Sequence, residues 1–301
     1  MENLSNLRQK FSILVMSLLN KVFLFVAILL LGAYVGANIW LFSQKNTILY
    51  PDVQDTSVYF FAERLPHNRL KYDKIELTSA YGNVETCIFP SFAKKNVWLI
   101  YLHHTHNLYY SDTNLWRYKI WNNLGINTIT LNYIKDNTSD NKVAYSEKMY
   151  QSALVAYNYL VDILEVPEDK ILVYGEGFGA YPASKLAQEM PVGALVLENM
   201  IRSQKSFLKD FYPILLTPYL IEEDLEVTSY LSKMNKNLLF IHFQNHNTPN
   251  YYDVTLYEKS KNDYKKILYI GGDDVKLNKK NLRSYQKGMA DLLKQLKLRK
   301  I

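Results

Sequence analysis

A single cysteine, Cys87, stands in the whole chain, so no internal disulfide can form and the thiol gives no sign of redox compartment. Its place in an apolar strand pattern makes it a small core residue. No Lys/Arg run interleaves with aromatics on a recognisable nucleic-acid module, and a formal charge of +6 is modest for 301 residues. Nucleic-acid binding is therefore not expected. No H-E-x-x-H signature and no internal repeat occur, and no cofactor is expected. Histidine is scarce: there are six, and the last is His246. What the chain has in quantity is apolar surface. A hydrophobic content of 48% excludes a disordered protein and suffices for a sizeable core in one large domain or two small ones.

Charge is also missing locally. From Val22 to Phe42 the sequence "VFLFVAILLLGAYVGANIWLF" carries none, and about 20 such residues cross a hydrocarbon core. The expectation is a single transmembrane helix over 22–42, a signal anchor preceded by a short N-terminal segment, 1–21. Arg8, Lys10 and Lys21 lie before the run, whereas Lys45 is followed by Asp52 and Asp55. The positive-inside bias places the N-terminus in the cytoplasm and the large domain across the membrane, in the periplasm or on the outer face if the cell is bacterial. The rival reading is a cleaved signal peptide, because Val35-Gly36-Ala37 is a small-residue site. The apolar run continues past that site through Trp40 and Phe42, which favours the uncleaved anchor.

Residues 43–70 read as a connector with Pro51 and Pro66, and 71–301 as the main domain. "YDKIELTSA" and "VETCIFPS" predict two strands joined by a turn at "YGN". "KNVWLIYLHH", "INTITLNY", "KILVYG", "VGALVLEN", "NLLFIHFQ" and "KKILYIGG" predict further strands. Between them lie the helical patterns "TNLWRYKIWNNLG", "YSEKMYQSALVAYNYLVDILEV" and "FGAYPASKLAQEM", and "KNLRSYQKGMADLLKQLKLRK" closes the chain. Apolar strands alternating with helices imply a mostly parallel sheet covered on both faces. The alternation stops over 200–235, where Pro213 and Pro218 break a helical stretch, so this segment reads as a cap-like insertion after the sixth strand.

The run "ILVYGEGFGAYPASKLAQE", residues 171–189, takes a strand through a glycine turn into a helix. With this element order from Tyr72 to Lys300, the chain resembles the α/β-hydrolase superfamily, and in particular its single-span, membrane-anchored serine hydrolases of the esterase, lipase and peptidase kinds. Gly175-Glu176-Gly177-Phe178-Gly179 matches the G-x-S-x-G elbow everywhere except the centre. The resemblance implies an α/β-hydrolase fold. It also implies a Ser-His-acid triad, and that triad is missing. Gly177 replaces the nucleophile, Asn245 or His246 stands at the acid position, and Asp273 or Asp274 stands where the histidine should follow the last strand. No histidine follows His246, so no shift of register restores the set. Glu176 adjoins the elbow centre, but one position along a strand turns a side chain elsewhere. Ser184 sits seven residues beyond Gly177 in the following helix, and Ser203 and Ser206 fall in the insertion without an identifiable base.

A second constellation gathers at strand ends, where open parallel sheets collect ligands. "HHTH" supplies His103, His104 and His106; His242 and His246 end another strand, and Asp273 and Asp274 end the last. Together with Glu176, Gly177 and Phe178 these are the candidate pocket residues. His104, His106 and His246 are the weak metal candidates, although polar residues lining a degenerate pocket explain them without a metal. Three functions follow. The first is a membrane-tethered pseudo-hydrolase that binds a small apolar or acyl ligand or a protein partner. The second is an active hydrolase of esters or amides with an atypical His/Asp site, with or without a metal. The third is a structural subunit of a membrane complex.

Overall fold

The computed structural model describes residues 2–49, 70–93, 96–103, 114–134, 144–221, 224–244, 255–258, 260, 264–272 and 278–298. The chain opens with one helix, α1, Glu2–Leu49. At 1.5 Å per residue it is about 70 Å long. It is long and apolar enough to cross a membrane over Gln9–Lys45, and its most apolar stretch is not buried in the rest of the molecule. The helix runs past Phe42 and takes in the first residues of the stretch expected to be a connector.

Eight strands build one sheet: β1 Asp73–Ser79, β2 Gly82–Phe89, β3 Val97–Leu102, β4 Ile126–Leu131, β5 Ile171–Glu176, β6 Ala194–Glu198, β7 Asn237–Phe243 and β8 Lys265–Ile270. Their order is β1-β2-β4-β3-β5-β6-β7-β8. β2 runs antiparallel to both neighbours, and every pair from β4 onward is parallel. The first hairpin is tighter than the sequence suggests: Ser79 pairs with Gly82, so Ala80-Tyr81 make a two-residue turn and Gly82 enters β2 at φ 135°.

The helices are α2 Leu115–Asn123, α3 Tyr145–Asn158, α4 Ala180–Glu189, α5 Gln204–Phe211, α6 Thr228–Leu231 and α7 Lys279–Leu298. The helix expected over 145–166 relaxes into a wider π turn at Tyr159–Ile163 before it ends. Strand pleating sorts the core into two layers. Ile100, Leu102, Val173, Leu195 and Leu197 join α3, α4 and the insertion on one face, while Leu99, Tyr101, Leu172, Tyr174 and Val196 join α2 and α7 on the other. Alternate residues of one strand therefore serve different layers. The first layer also takes in Leu41 and Leu49 near the end of α1, so this helix is docked on the domain through its C-terminal part.

Candidate functional site

The centre of the molecule is the corner between β5 and α4. β5 is buried along its length up to Tyr174, and Gly175 meets α4 so closely that an added Cβ would lie 2.6 Å from the Ala180 Cα. Gly179 is tighter still, since a Cβ there would sit 2.1 Å from the Leu102 carbonyl oxygen. Between them Gly177 is buried, with φ 55° in the left-handed region. The outer two glycines are required by close packing, and the central one by its backbone angle. The Gly177 carbonyl accepts a hydrogen bond from the Ile201 N–H at 3.1 Å, and Phe178 is buried edge-on against Phe207 of α5. The corner is thereby tied to the first helix of the insertion.

Glu176 does not point into the space at the corner's centre. It shares the pleat parity of Tyr174, which turns it toward α2 and α7. There its carboxylate accepts from the Tyr101 hydroxyl and lies 3.4 Å from an Arg117 terminal nitrogen. Arg117, on α2, and Glu198, at the end of β6, are fully buried and form an ion pair through two guanidinium nitrogens, with Nε 3.1 Å from Oε1. Glu176 and Glu198 are register partners on adjacent strands. One guanidinium therefore faces two carboxylates. Asn114 accepts from Arg117 at 2.8 Å, and the guanidinium stacks on Trp116, 4.5 Å from its ring centroid.

A chain of donors feeds the same pair. Trp121 Nε1 donates to the Tyr285 hydroxyl at 3.1 Å, the Tyr285 and Tyr174 hydroxyls are 2.9 Å apart, and Tyr174 donates to Glu198. An indole N–H only donates and a carboxylate only accepts, so the intervening protons run from Trp121 toward Glu198. Burial pushes the Tyr101, Tyr174 and Tyr285 hydroxyls well above their ordinary range, which keeps them protonated as donors. Burial also raises Glu198 above the usual carboxylate value; Arg117 opposes this and the nearby Glu176 reinforces it.

His103 follows β3 and is fully buried, with Nε2 2.9 Å from the Leu131 carbonyl oxygen and its ring between Tyr101 and Tyr133. A carbonyl accepts, so Nε2 carries the proton. Its backbone carbonyl abuts Gly179 and accepts from the Tyr133 hydroxyl. His242 lies two strands from the corner in β7, fully buried, its ring edge-on to Tyr269. Glu176, Gly177, Phe178 and His103 thus come together at the corner, and His242 stands apart. His104, His106, His246, Asp273 and Asp274 lie outside the described residues. Among the described residues no three His, Cys, Asp or Glu side chains are gathered as a metal site would need.

The serines have structural places. Ser184 is buried in α4, while the Ser203 hydroxyl accepts from the Ser206 N–H and the Ser206 hydroxyl from the Ser203 N–H, a reciprocal cap on α5. Arg117, Glu198, Tyr101, Tyr174 and Tyr285 were not singled out from sequence. The signal available was a charge inside each of two apolar patterns, Arg117, with Lys119, in "LWRYKIW" and Glu198 at the end of "ALVLE".

The sequence matches no protein-family profile and no curated protein. Solved structures do match its shape. The Pyrococcus furiosus esterase Pf2001 aligns with TM-score 0.59 at 15% identity, over 77% of this chain and 97% of that one. An α/β hydrolase from Vibrio vulnificus aligns with TM-score 0.60 at 14% identity, over 86% and 92%. Est1E from Butyrivibrio proteoclasticus aligns with TM-score 0.58 at 14% identity, over 75% and 99%. The eight-stranded order, the single antiparallel strand β2, the glycine corner after β5 and these alignments agree: the chain has the α/β-hydrolase fold.

Proposed function

We propose that the protein is a single-pass membrane protein whose α/β-hydrolase-fold domain is catalytically silent and acts by binding a small apolar or acyl ligand or a protein partner. α1 is its anchor, with the N-terminus in the cytoplasm and the domain on the far side. The observation that carries this reading is Gly177 at the elbow, with φ 55° and no side chain to attack a carbonyl. Two further features support it. The carboxylate next to the elbow centre in sequence, Glu176, is held by Tyr101 and Arg117 on the opposite face of the sheet, and the His103 Nε2 proton is committed to a backbone carbonyl. A nucleophile needs a base within hydrogen-bond reach.

The test uses the purified full-length chain and its Gly177→Ser variant with short acyl esters and a fluorophosphonate probe. The wild-type protein is expected to show no turnover and no labelling. Gly177→Ser should fold, lose about 1–2 kcal/mol because a Cβ is strained at this backbone angle, and remain inactive. Ester turnover by the wild type that disappears in His246→Ala or Asp273→Ala and survives in Ser184→Ala would refute the proposal. So would turnover by Gly177→Ser.

A further inference from the structure

The insertion contains a second uncharged run. From Phe211 to Leu220 the sequence is "FYPILLTPYL", with Lys209 and Asp210 before it and Glu222, Glu223 and Asp224 after it. Five of its large apolar side chains, Phe211, Ile214, Leu216, Tyr219 and Leu220, are exposed, Ile214 at 79%. Isolated exposed apolar residues are ordinary, but five within ten positions form a surface that needs an occupant.

The same run is fastened to α1. The Tyr34 hydroxyl donates to the Ile214 carbonyl at 3.1 Å. Asn38 Oδ1 accepts from the N–H groups of Leu216 at 2.6 Å and Thr217 at 3.2 Å, and the Thr217 hydroxyl donates to the Asn38 carbonyl at 3.0 Å. Tyr34 and Asn38 belong to the uncharged stretch Val22–Phe42, and beside them Ile39, Trp40 and Phe42 are exposed as well. They precede Phe42 by eight and four residues, which at 1.5 Å per residue is about 12 and 6 Å along the helix. Interfacial elements lie about 5–10 Å into a leaflet. Measured from Phe42, the Asn38 ties fall within that range and the Tyr34 tie lies just beyond it.

Irregular backbone enters hydrocarbon only when its polar groups are satisfied within the protein. Here they are. Tyr212, Leu215 and Tyr219 N–H bond to the Leu208, Tyr212 and Leu216 carbonyls, Leu216 and Thr217 N–H bond to Asn38, and Pro213 and Pro218 have no N–H. A run facing water would not need side chains of the anchor to complete its hydrogen bonds.

We infer that residues 211–220 are an interfacial membrane element, lodged in the lipid leaflet from which α1 emerges, so that the domain lies against the bilayer instead of swinging on a tether. The inference rests on α1 being a membrane anchor. Its test labels full-length variants with one introduced cysteine each, using an environment-sensitive fluorophore in phosphatidylcholine vesicles carrying nitroxide lipids. Ile214→Cys and Leu220→Cys report the insertion. Leu29→Cys reports the anchor, and Phe92→Cys reports an exposed site on the turn after β2. Buried Cys87 should take no label in the parent chain. The expected result is strong quenching at 29, 214 and 220 and little at 92. Quenching at 29 with 214 and 220 no stronger than 92 would overturn the inference while leaving the anchor intact. A blue-shifted but unquenched probe at 214 would also overturn it, since a protein surface would then cover the run. No quenching at 29 would remove the anchor and the inference with it.

Discussion

Replacing Arg117 by Met tests whether the buried charges beneath the corner form one unit. The guanidinium is the cation facing Glu198, fully buried, and Glu176, whose side chain is 15% exposed. Removing it leaves two carboxylates on adjacent strands at the same register position. A unit charge pair at 4 Å is worth about 4 kcal/mol at an effective dielectric near 20, and breaking a buried pair from one side costs about 3–5 kcal/mol. The domain is large enough that each kcal/mol moves the melting temperature by about 2–4 °C, so Arg117→Met should melt roughly 6–20 °C lower by circular dichroism at neutral pH. Adding Glu198→Gln should recover most of that loss, because the buried orphan charge is gone and Glu176 keeps Tyr101 as its donor. The deficit should also narrow under acid, where protonated carboxyls need no cation. A loss below about 1 kcal/mol, or a double variant less stable than Arg117→Met, would refute the reasoning.

Glu198→Gln alone has a pH signature. Burial raises the folded-state value of Glu198 above the roughly 4.3 of an unfolded glutamate, so the folded protein binds this proton more tightly. The stability it contributes is fully present below that unfolded value and is lost as pH rises through the folded one. The substitution should therefore cost most near pH 4 and least at pH 8 in thermal melts; a cost that grows with pH would mean that Arg117 outweighs burial. At the corner, Gly179→Ala should be far worse than Gly177→Ala. The first drives a Cβ to 2.1 Å from the Leu102 carbonyl oxygen and should cost at least about 3 kcal/mol. The second places a Cβ at an unfavourable φ, which should cost about 1–2 kcal/mol; denaturant midpoints in the reverse order would contradict this account of the turn.

The fold was legible because its signals are local. Short Val-, Ile- and Leu-rich runs separated by helical periodicity fixed each strand to within a residue or two, and Gly175 and Gly179 marked the corner through contacts that only glycine permits. The charge cluster was not legible, for two physical reasons. Which way Glu198 points depends on strand parity relative to the layers, and which helix covers that side depends on topology. Arg117 is 81 residues away in sequence and meets it only after α2 packs on the sheet. Tyr285 arrives from α7, 111 residues beyond its partner Tyr174. The polar ties of Tyr34 and Asn38 to the insertion span further still, 180 and 178 residues, and the two side chains look in the sequence like ordinary residues of an apolar helix.

The corner at Gly177 is held from several directions although its central residue carries no side chain. Gly179 lies on the backbone of Leu102 and His103, Glu176 is fixed by Tyr101 and Arg117, the Gly177 carbonyl is bonded to Ile201, and Phe178 is packed on Phe207. Strain at a turn persists where surrounding structure enforces it, and glycine has relieved the strain without loosening the surroundings. What those surroundings still fix is the relation of the β3, β5 and β6 ends to α5. Further along the insertion, Leu216 and Thr217 are fixed to Asn38 of α1. The insertion is therefore the element that joins α1 to the corner. A ligand or partner seated at the carboxyl ends of these strands would meet elements already fixed to one another, which lowers the ordering cost of binding.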